Sequence, residues 1–199
     1  MLLRMALEHA LLVALTERSG SGYELARRFD RSIGFFHSAT HQQIYRTLRR
    51  MAETGWVDVE VVEQDGKPDK KVYSPSPSGR TELARWIAEP SEPTVLRDEL
   101  AVKIRGAAAD DRDALVAEIV RHRASHADRL AAYRAIEQRD FPDPASLSDA
   151  ALRQYLVLRG GLRIESGFVD WCDDVLDALR PPTHRGPALP GFASEKGTR

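Results

Sequence analysis

The sequence predicts a mainly α-helical chain in two folded parts, and three observations carry the prediction. Helical spacing of apolar residues runs from Leu3 to Met51, gives way to alternation in "WVDVEVVEQ" (56–64), and resumes after Ser76. A proline-marked break, "AEPSEP" at 88–93, separates this first part from the rest. Three long helical patterns then follow. The division expected is 1–89, 90–180, and a terminal segment 181–199 whose Pro- and Gly-rich composition, "PPTHRGPALPGFASEKGTR", predicts disorder.

The first helix is expected over about Leu3 to Glu17, because Leu3, Leu7, Leu11 and Leu15 recur every four residues on one face. "SGSG" at 19–22 ends it, and Ser21 is placed to cap a second helix, "GYELARRFDRS", whose inner face carries Leu25, Ala26 and Phe29. A third helix is expected with Ser38 as N-cap and Gly55 as its stop. Val57, Val59 and Val61 share one side of a strand, "DGKPD" supplies a turn, and "KKVYSP" returns as a second strand. Ser76 and Pro77 open a fourth helix as N-cap and first position. Helices over about Thr94 to Ala107, Arg112 to Gln138 and Leu147 to Leu179 complete the chain. Helix, helix, helix, hairpin, helix is the order of a winged helix-turn-helix, here followed by a helical domain.

Bulk composition limits what this chain can do. At 199 residues and 42% hydrophobic content it can bury a sizeable core, and a net charge of −1 gives no global attraction to nucleic acid or anionic lipid. No apolar run reaches the roughly 18 to 20 residues that span a bilayer, and Arg4, Glu8 and His9 interrupt "MLLRMALEHALLVAL", so a cytoplasmic protein without membrane association is expected. The single cysteine, Cys172, excludes an intramolecular disulfide and any cysteine-cluster metal site. Gly-rich phosphate loops, nucleophile elbows and metal triads are absent from the sequence, so neither enzymatic activity nor a cofactor is expected.

Charge is distributed locally instead. Residues 1–89 carry 13 Lys and Arg against 12 Asp and Glu, yet 31–52 carry four Arg and no acid. On a helical wheel centred on Ile44, residues Thr40, His41, Thr47, Leu48 and Met51 fall within about 60° and are expected to pack inward. The opposite side carries Ala39, Gln42, Arg46 and Arg49, flanked by Gln43, Tyr45 and Arg50. Small and amide side chains first and arginines later suit a helix whose leading turn enters a major groove. Amides pair with adenine, Arg with guanine, and Tyr45 can reach a phosphate. Thr40, at the leading turn, joins the DNA-facing candidates. A carboxylate on this surface would face phosphate charge, which accounts for its absence. "GKPDKK" places Lys67, Lys70 and Lys71 at the hairpin turn, where a wing holds the backbone or probes the minor groove.

With these residues in view, the first 90 positions resemble the PadR family of bacterial transcriptional regulators. The matching stretches are "SGYELARRFD" at 21–30, "FFHSATHQQIYRTLRRMAETGWV" at 35–57, "GKPDKKVYSPSPSGRTEL" at 66–83 and "ARWIAEP" at 84–90. "RDELAVKIR" at 97–105 and "YLVLRGGLRIESGFVDWCDDVLDAL" at 155–179 are similar, more loosely, to the helical C-terminal domain of the longer, virulence-activator-like subfamily. The resemblance implies a homodimeric DNA-binding repressor whose effector acts on the dimer. It places the DNA-contacting helix on Ala39 to Arg50, the family's tyrosine on Tyr45 and the wing on Gly66 to Tyr73. Arg46 stands where many members have proline.

The last helix can be read as two adjoining stripes. Tyr155, Leu158, Leu162, Glu165, Val169, Cys172, Leu176 and Leu179 form one, and Val157, Gly161, Ile164, Phe168, Trp171, Val175 and Ala178 the other. So wide an apolar face predicts burial on two sides, with the first stripe as the dimerisation candidate. Gly160, Gly161 and Gly167 each cost about 1 kcal/mol in a helix interior, which suits close helix packing, a bend, or room for a small aromatic effector beside Phe168 and Trp171. Cys172 on an apolar stripe is expected as a buried hydrophobe. His37 and His41, four apart, lack a third metal ligand nearby. The partners expected are therefore double-stranded DNA, a second copy and an aromatic small molecule. The rival reading is a winged helix that binds protein partners, with the lysines as solvated surface.

Overall fold

The computed structural model describes residues 2–31, 39–63, 69–91 and 98–180. The Ser38 cap, the turn residues 65–68 including Lys67, His37 and the 181–199 tail lie outside the described residues. The chain divides into two compact units, Met1–Thr94 and Val95–Arg199, and each is described by itself.

The first unit contains α1 (Leu2–Glu17), β1 (Gly20–Ser21), α2 (Gly22–Arg31), α3 (His41–Glu53), β2 (Val57–Val62), β3 (Lys70–Pro75) and α4 (Pro77–Ala88). Its sheet is antiparallel in the order β1-β3-β2, with Ser21 opposite Val72 and Val57 opposite Pro75. This is a winged helix-turn-helix. Leu11, Leu12, Leu25, Ile44, Leu48 and Met51 are fully buried at its centre, each contributing about 1.5–3 kcal/mol. Of the three valines expected on one side of β2, only Val57 is buried, while Val59 and Val61 are 40% and 55% exposed. The hairpin is therefore anchored at its root and projects beyond the core.

Caps fix the helix starts. Ser21 Oγ accepts from the Glu24 amide at 3.2 Å, and the Ser21 amide donates to Glu24 Oε2 at 2.9 Å, a reciprocal capping box. At α3 the cap is Thr40, in place of the expected Ser38. Thr40 Oγ1 accepts from the Gln43 amide, and the Thr40 amide donates to Gln43 Oε1 at 2.8 Å. The helix stops where expected, with Gly55 at φ 74°. Ser76 caps α4 with Pro77 at its first position. The hydroxyls of Ser76 and Ser78 both donate to the Gly55 carbonyl at 2.6 Å, and the Ser76 amide donates to the Trp56 carbonyl at 3.1 Å. These bonds pin α4 to the corner after α3.

α1 and α4 meet over a buried histidine. His9 Nε2 lies 3.0 Å from Glu82 Oε1, and its ring stacks on Trp86 at 4.5 Å. The Arg85 guanidinium grips the same carboxylate through Nε, 2.8 Å from Oε2, and Nη2, 2.6 Å from Oε1. Arg85 first, and His9 after it, hold the Glu82 pKa down at about 2, below its ordinary 4.5. A depressed carboxylate contributes stability that is fully present above its unfolded pKa and is lost as pH falls through its folded one. The urea midpoint is therefore expected to fall between about pH 4.5 and pH 2, and to fall less steeply in that window for Glu82→Gln. Equal slopes would exclude this carboxylate as a contributor.

The second unit contains α5 (Glu99–Gly106), α6 (Arg112–Asp140) and α7 (Asp149–Ala178), with short 3-10 turns at Ala109–Asp111 and Pro144–Ser146. α5 begins at an Asp98 cap, and α7 at a Ser148 cap, each slightly later than the sequence pattern suggested. α6 and α7 run antiparallel, so that Arg123 pairs with Asp173 and Glu137 with Arg159. Two apolar clusters lie along them. One gathers Leu130, Tyr133, Phe141, Leu158 and Leu162, and the other Leu100, Leu115, Ile119 and Cys172. Between the clusters the buried Glu165 carboxylate lies 2.6 Å from His126 Nδ1 and accepts from Arg129 Nε at 3.0 Å. A buried carboxylate satisfied this way specifies register, because a one-turn slip would leave it unpaired among apolar side chains.

Candidate nucleic-acid interface

Four consecutive turns of sequence build the candidate interface. Ile44, Thr47, Leu48 and Met51 seat α3 in the core, which leaves Gln42, Gln43, Tyr45, Arg46 and Arg49 exposed on its other side. Among the described residues, the side chains of Gln42, Arg46 and Arg49 make no hydrogen bond or ion pair within the chain. Gln43 has part of its amide engaged at the Thr40 cap. The Tyr45 ring covers the first turn of α2 so closely that a Cβ added to Gly22 would sit 2.5 Å from it.

Four residues sit differently from the wheel's expectation. Thr40 and His41 are exposed, because the helix starts at His41 and a wheel extended ahead of the first turn loses its phase. Ala39 precedes the helix and packs, half-buried, against the core, so it is no part of the outward tip. Arg50 turns back to α1, where its Nε donates to Glu8 Oε1 at 2.7 Å and Nη2 lies 2.6 Å from the same oxygen. A guanidinium so held anchors α3 instead of projecting from it.

On the wing, Lys71 is exposed, while the Lys70 ammonium donates to Glu24 Oε1 at 2.8 Å. Sequence reasoning gave no role to Glu24 or to the first turn of α2, which lies between Tyr45 and Lys70. The four-residue spacing of Tyr23 and Arg27, whose guanidinium sits 5.8 Å over the Tyr23 ring, was the available signal.

In the second unit, Leu158, Leu162 and Cys172 are buried in its own clusters, and Tyr155, Val169, Leu176 and Leu179 pack against them. That stripe faces α6, which removes it as an exposed surface. The apolar side chains left outward on α7 are Leu152, Leu156, Val157 and Ile164, at 40%, 59%, 52% and 57% exposure. Among the described residues, no atom beyond the helix's own adjoining backbone lies within 4 Å of where a Cβ would stand on Gly160 or Gly167. Burial raises the Cys172 thiol pKa, so it stays protonated and unreactive.

Phe168 stacks on His126 at 4.4 Å and meets Trp171 edge-on at 6.2 Å. A cavity of about 360 Å³ opens beside Phe168 and His126, with Arg121 and Arg129 on its walls. Trp171 packs instead against the Cys172 cluster, so of the two aromatics only Phe168 lines the cavity. No group of three metal-binding side chains occurs among the described residues, nor is any helix there long and apolar enough to cross a membrane.

Comparison with known proteins follows the same division. Residues 11–85 match the transcriptional regulator PadR-like family, and residues 96–180 match the virulence activator alpha C-terminal family. A probable transcriptional regulator of Mycobacterium tuberculosis is 56% identical over 88% of this chain and 98% of its own length. The virulence activator AphA of Vibrio cholerae superposes with a TM-score of 0.74, at 31% identity over 87% of this chain and 97% of that one. The negative transcriptional regulator PadR of Bacillus subtilis is 28% identical over 85% of this chain and 95% of its own. In complex with operator DNA it superposes with a TM-score of 0.76, at 26% identity over 88% and 99% of the two chains. The same protein is also known with p-coumaric acid, at a TM-score of 0.70, 25% identity and coverage of 88% and 96%.

Proposed function

This chain belongs to the PadR family of transcriptional regulators, and from that premise we propose that it binds an inverted-repeat operator as a homodimer and represses the adjoining genes. The observation that carries the reading is the outward side of α3. Gln42, Arg46 and Arg49 extend from a well-seated helix with no partner among the described residues, while Arg50 has one. Gln42 and Arg46 are the base readers, Tyr45 and Arg49 take phosphates, and Lys71 and Lys67 extend the contact from the wing. Two copies of α3 enter successive major grooves roughly 34 Å apart, so half-sites repeat about one helical turn apart. Binding falls steeply with salt as counterions are released.

The dimer seam is the outward stripe of α7, from Leu152 through Leu156 and Gly160 to Ile164. Among the described residues nothing requires glycine at 160 or 167, although each costs about 1 kcal/mol; close approach of a second copy supplies the reason. The effector is a small aromatic acid bound beside Phe168. The stacked Phe168–His126 pair offers a flat apolar wall, and the guanidiniums of Arg121 and Arg129, paired with Glu118 and Glu165, stand at the cavity's edge. The binding of p-coumaric acid by the Bacillus relative supports this choice.

A gel shift with duplex from upstream of the protein's own gene tests the DNA reading. Arg46→Ala is expected to weaken operator binding by about 1–3 kcal/mol, roughly 5- to 150-fold, with less effect on scrambled duplex and none on the melting temperature. Undiminished operator affinity would remove α3 as the reader. A wild-type protein that ignores all duplex DNA would favour a protein-binding winged helix instead.

A further inference from the structure

α3 carries two tethers, one on each flank of its outward side. Counted from the core-facing Ile44 at 100° per residue, Arg49, Gln42 and Arg46 lie at about 140°, 160° and 200°. Tyr45, at about 100°, and Arg50, at about 240°, bracket them. The side chains of the inner three make no hydrogen bond or ion pair among the described residues. The flanking two are both engaged. Tyr45 lies against α2 at Gly22, and the Arg50 guanidinium reaches α1, where Nε and Nη2 stand 2.7 and 2.6 Å from Glu8 Oε1.

The tether to α1 is directional where the core is not. Ile44, Leu48 and Met51 are fully buried, but apolar contact is non-directional and tolerates a small roll of the helix about its axis. A guanidinium held through two nitrogens tolerates less, because hydrogen bonds weaken steeply off line. The Glu8 side chain is 13% exposed and that of Arg50 33%, so the pair is partly shielded from the solvent that makes most surface ion pairs worth little. Glu8 is also held from behind. Its neighbour on α1, the buried His9, lies 3.0 Å from Glu82 on α4. Adjacent residues of α1 thus grip α3 and α4, and α1 cannot turn to follow Arg50 without pulling His9 from Glu82.

A small roll matters at the tip of a side chain. At the roughly 5–6 Å radius of a helix with its side chains, a roll of about 10° moves a tip by about 1 Å, twice the roughly 0.5 Å within which a binding group has to be aimed. We propose that Glu8 is a positioning residue for operator reading: through the Arg50 guanidinium it fixes the roll of α3, and so the aim of Gln42 and Arg46, without touching DNA itself. The proposal rests on the operator-binding reading. It gives Arg50 a task different from that of Arg46 and Arg49, since its guanidinium is committed to α1. It also makes α1, which presents no residue to the duplex in that reading, a determinant of which sequence is bound.

The test uses full-length protein, an operator duplex and a scrambled duplex, with affinities measured by fluorescence anisotropy across a salt series, below the melting transition of every variant. Glu8→Ala is expected to lower operator affinity about 10-fold, the order of one well-formed base contact, and to leave scrambled-duplex affinity at or above that of wild type. Arg50→Ala is expected to show the same operator loss, with the slope of log affinity against log salt on the scrambled duplex unchanged, because no phosphate contact is removed. The double variant is expected to lose no more than either single one, since both remove the same tether. Glu8→Gln keeps the shape and one acceptor oxygen, is expected to lose a smaller part of the preference, and replaces Glu8→Ala should that variant fail to fold. A role confined to stability would lower the melting temperature and leave the operator preference intact, and that result would overturn the proposal. So would an Arg50→Ala loss equal on both duplexes, or losses that add in the double variant. A wild-type protein with no preference for the operator would sink the operator reading and this proposal with it, whereas a wild-type preference that survives Glu8→Ala sinks the proposal alone.

Discussion

Replacing Gly79 with alanine is expected to lower the melting temperature of the winged-helix unit by roughly 10–20 °C, corresponding to about 3 kcal/mol. A Cβ at this position would stand 2.0 Å from the Trp56 carbonyl oxygen, 2.9 Å from the carbonyl carbon and 3.2 Å from Leu12 Cδ2. Two of these atoms are backbone, so no rotamer change relieves the contact. α4 has to move away, and in moving it strains the Gly79 amide bond to Ser76 Oγ and the Ser76 amide bond to Trp56. Thermal melting followed by circular dichroism reads the effect. Ser78→Ala is the control, since it removes one of two hydroxyls on the Gly55 carbonyl and should cost only about 1 kcal/mol. A melting point for Gly79→Ala as high as that control would mean that α4 slides freely on the corner after α3.

The second large effect concerns the second unit. The double variant Leu156→Arg, Ile164→Arg is expected to elute as a monomer and to lose operator affinity on the order of 100-fold or more, because simultaneous engagement of two half-sites multiplies affinity by about 10²–10⁴. Both side chains are more than half exposed within the subunit, so the melting profile of the unit itself is expected to hold apart from the loss of mass action between copies. Leu158→Arg makes the contrast, since Leu158 is 6% exposed in the unit's own core and an unpaired charge there should unfold α6 and α7. A double variant that remains dimeric by sedimentation would move the seam off α7.

The sequence made the architecture legible wherever periodicity or capping chemistry was strong. Leu11, Leu15, Leu25 and Phe29 fall in the core as their spacing demanded, and Gly55 and Ser76 sit at the boundaries they marked. β1 was illegible because a two-residue strand has no period; only its pairing with β3 makes it one. The start of α3 turned on a finer signal. Ser38 and Thr40 can both cap, but only Thr40 has a glutamine three residues on, and that reciprocal bond decides the boundary.

The candidate site was legible in outline and less so in its charges. The outward side of α3 followed from the wheel, yet nothing local announces that Arg50 pairs with Glu8, 42 positions away. Lys70 likewise meets Glu24 only because β1 aligns with β3. On α7 the two stripes lie one residue apart, so periodicity could not tell which belongs to the subunit's own core. Glu165, a carboxylate on an otherwise apolar stripe, was the clue, because such a group needs partners inside the same unit.

That carboxylate governs more than its own neighbourhood. Turning α7 about its long axis would pull Glu165 away from His126 and Arg129, and sliding it by a turn would do the same, so the helix is keyed against both motions. The angular position of Leu156 and Ile164 is thereby set from the far side of the rod. Whatever surface they meet, its orientation is dictated by a charge that never touches it.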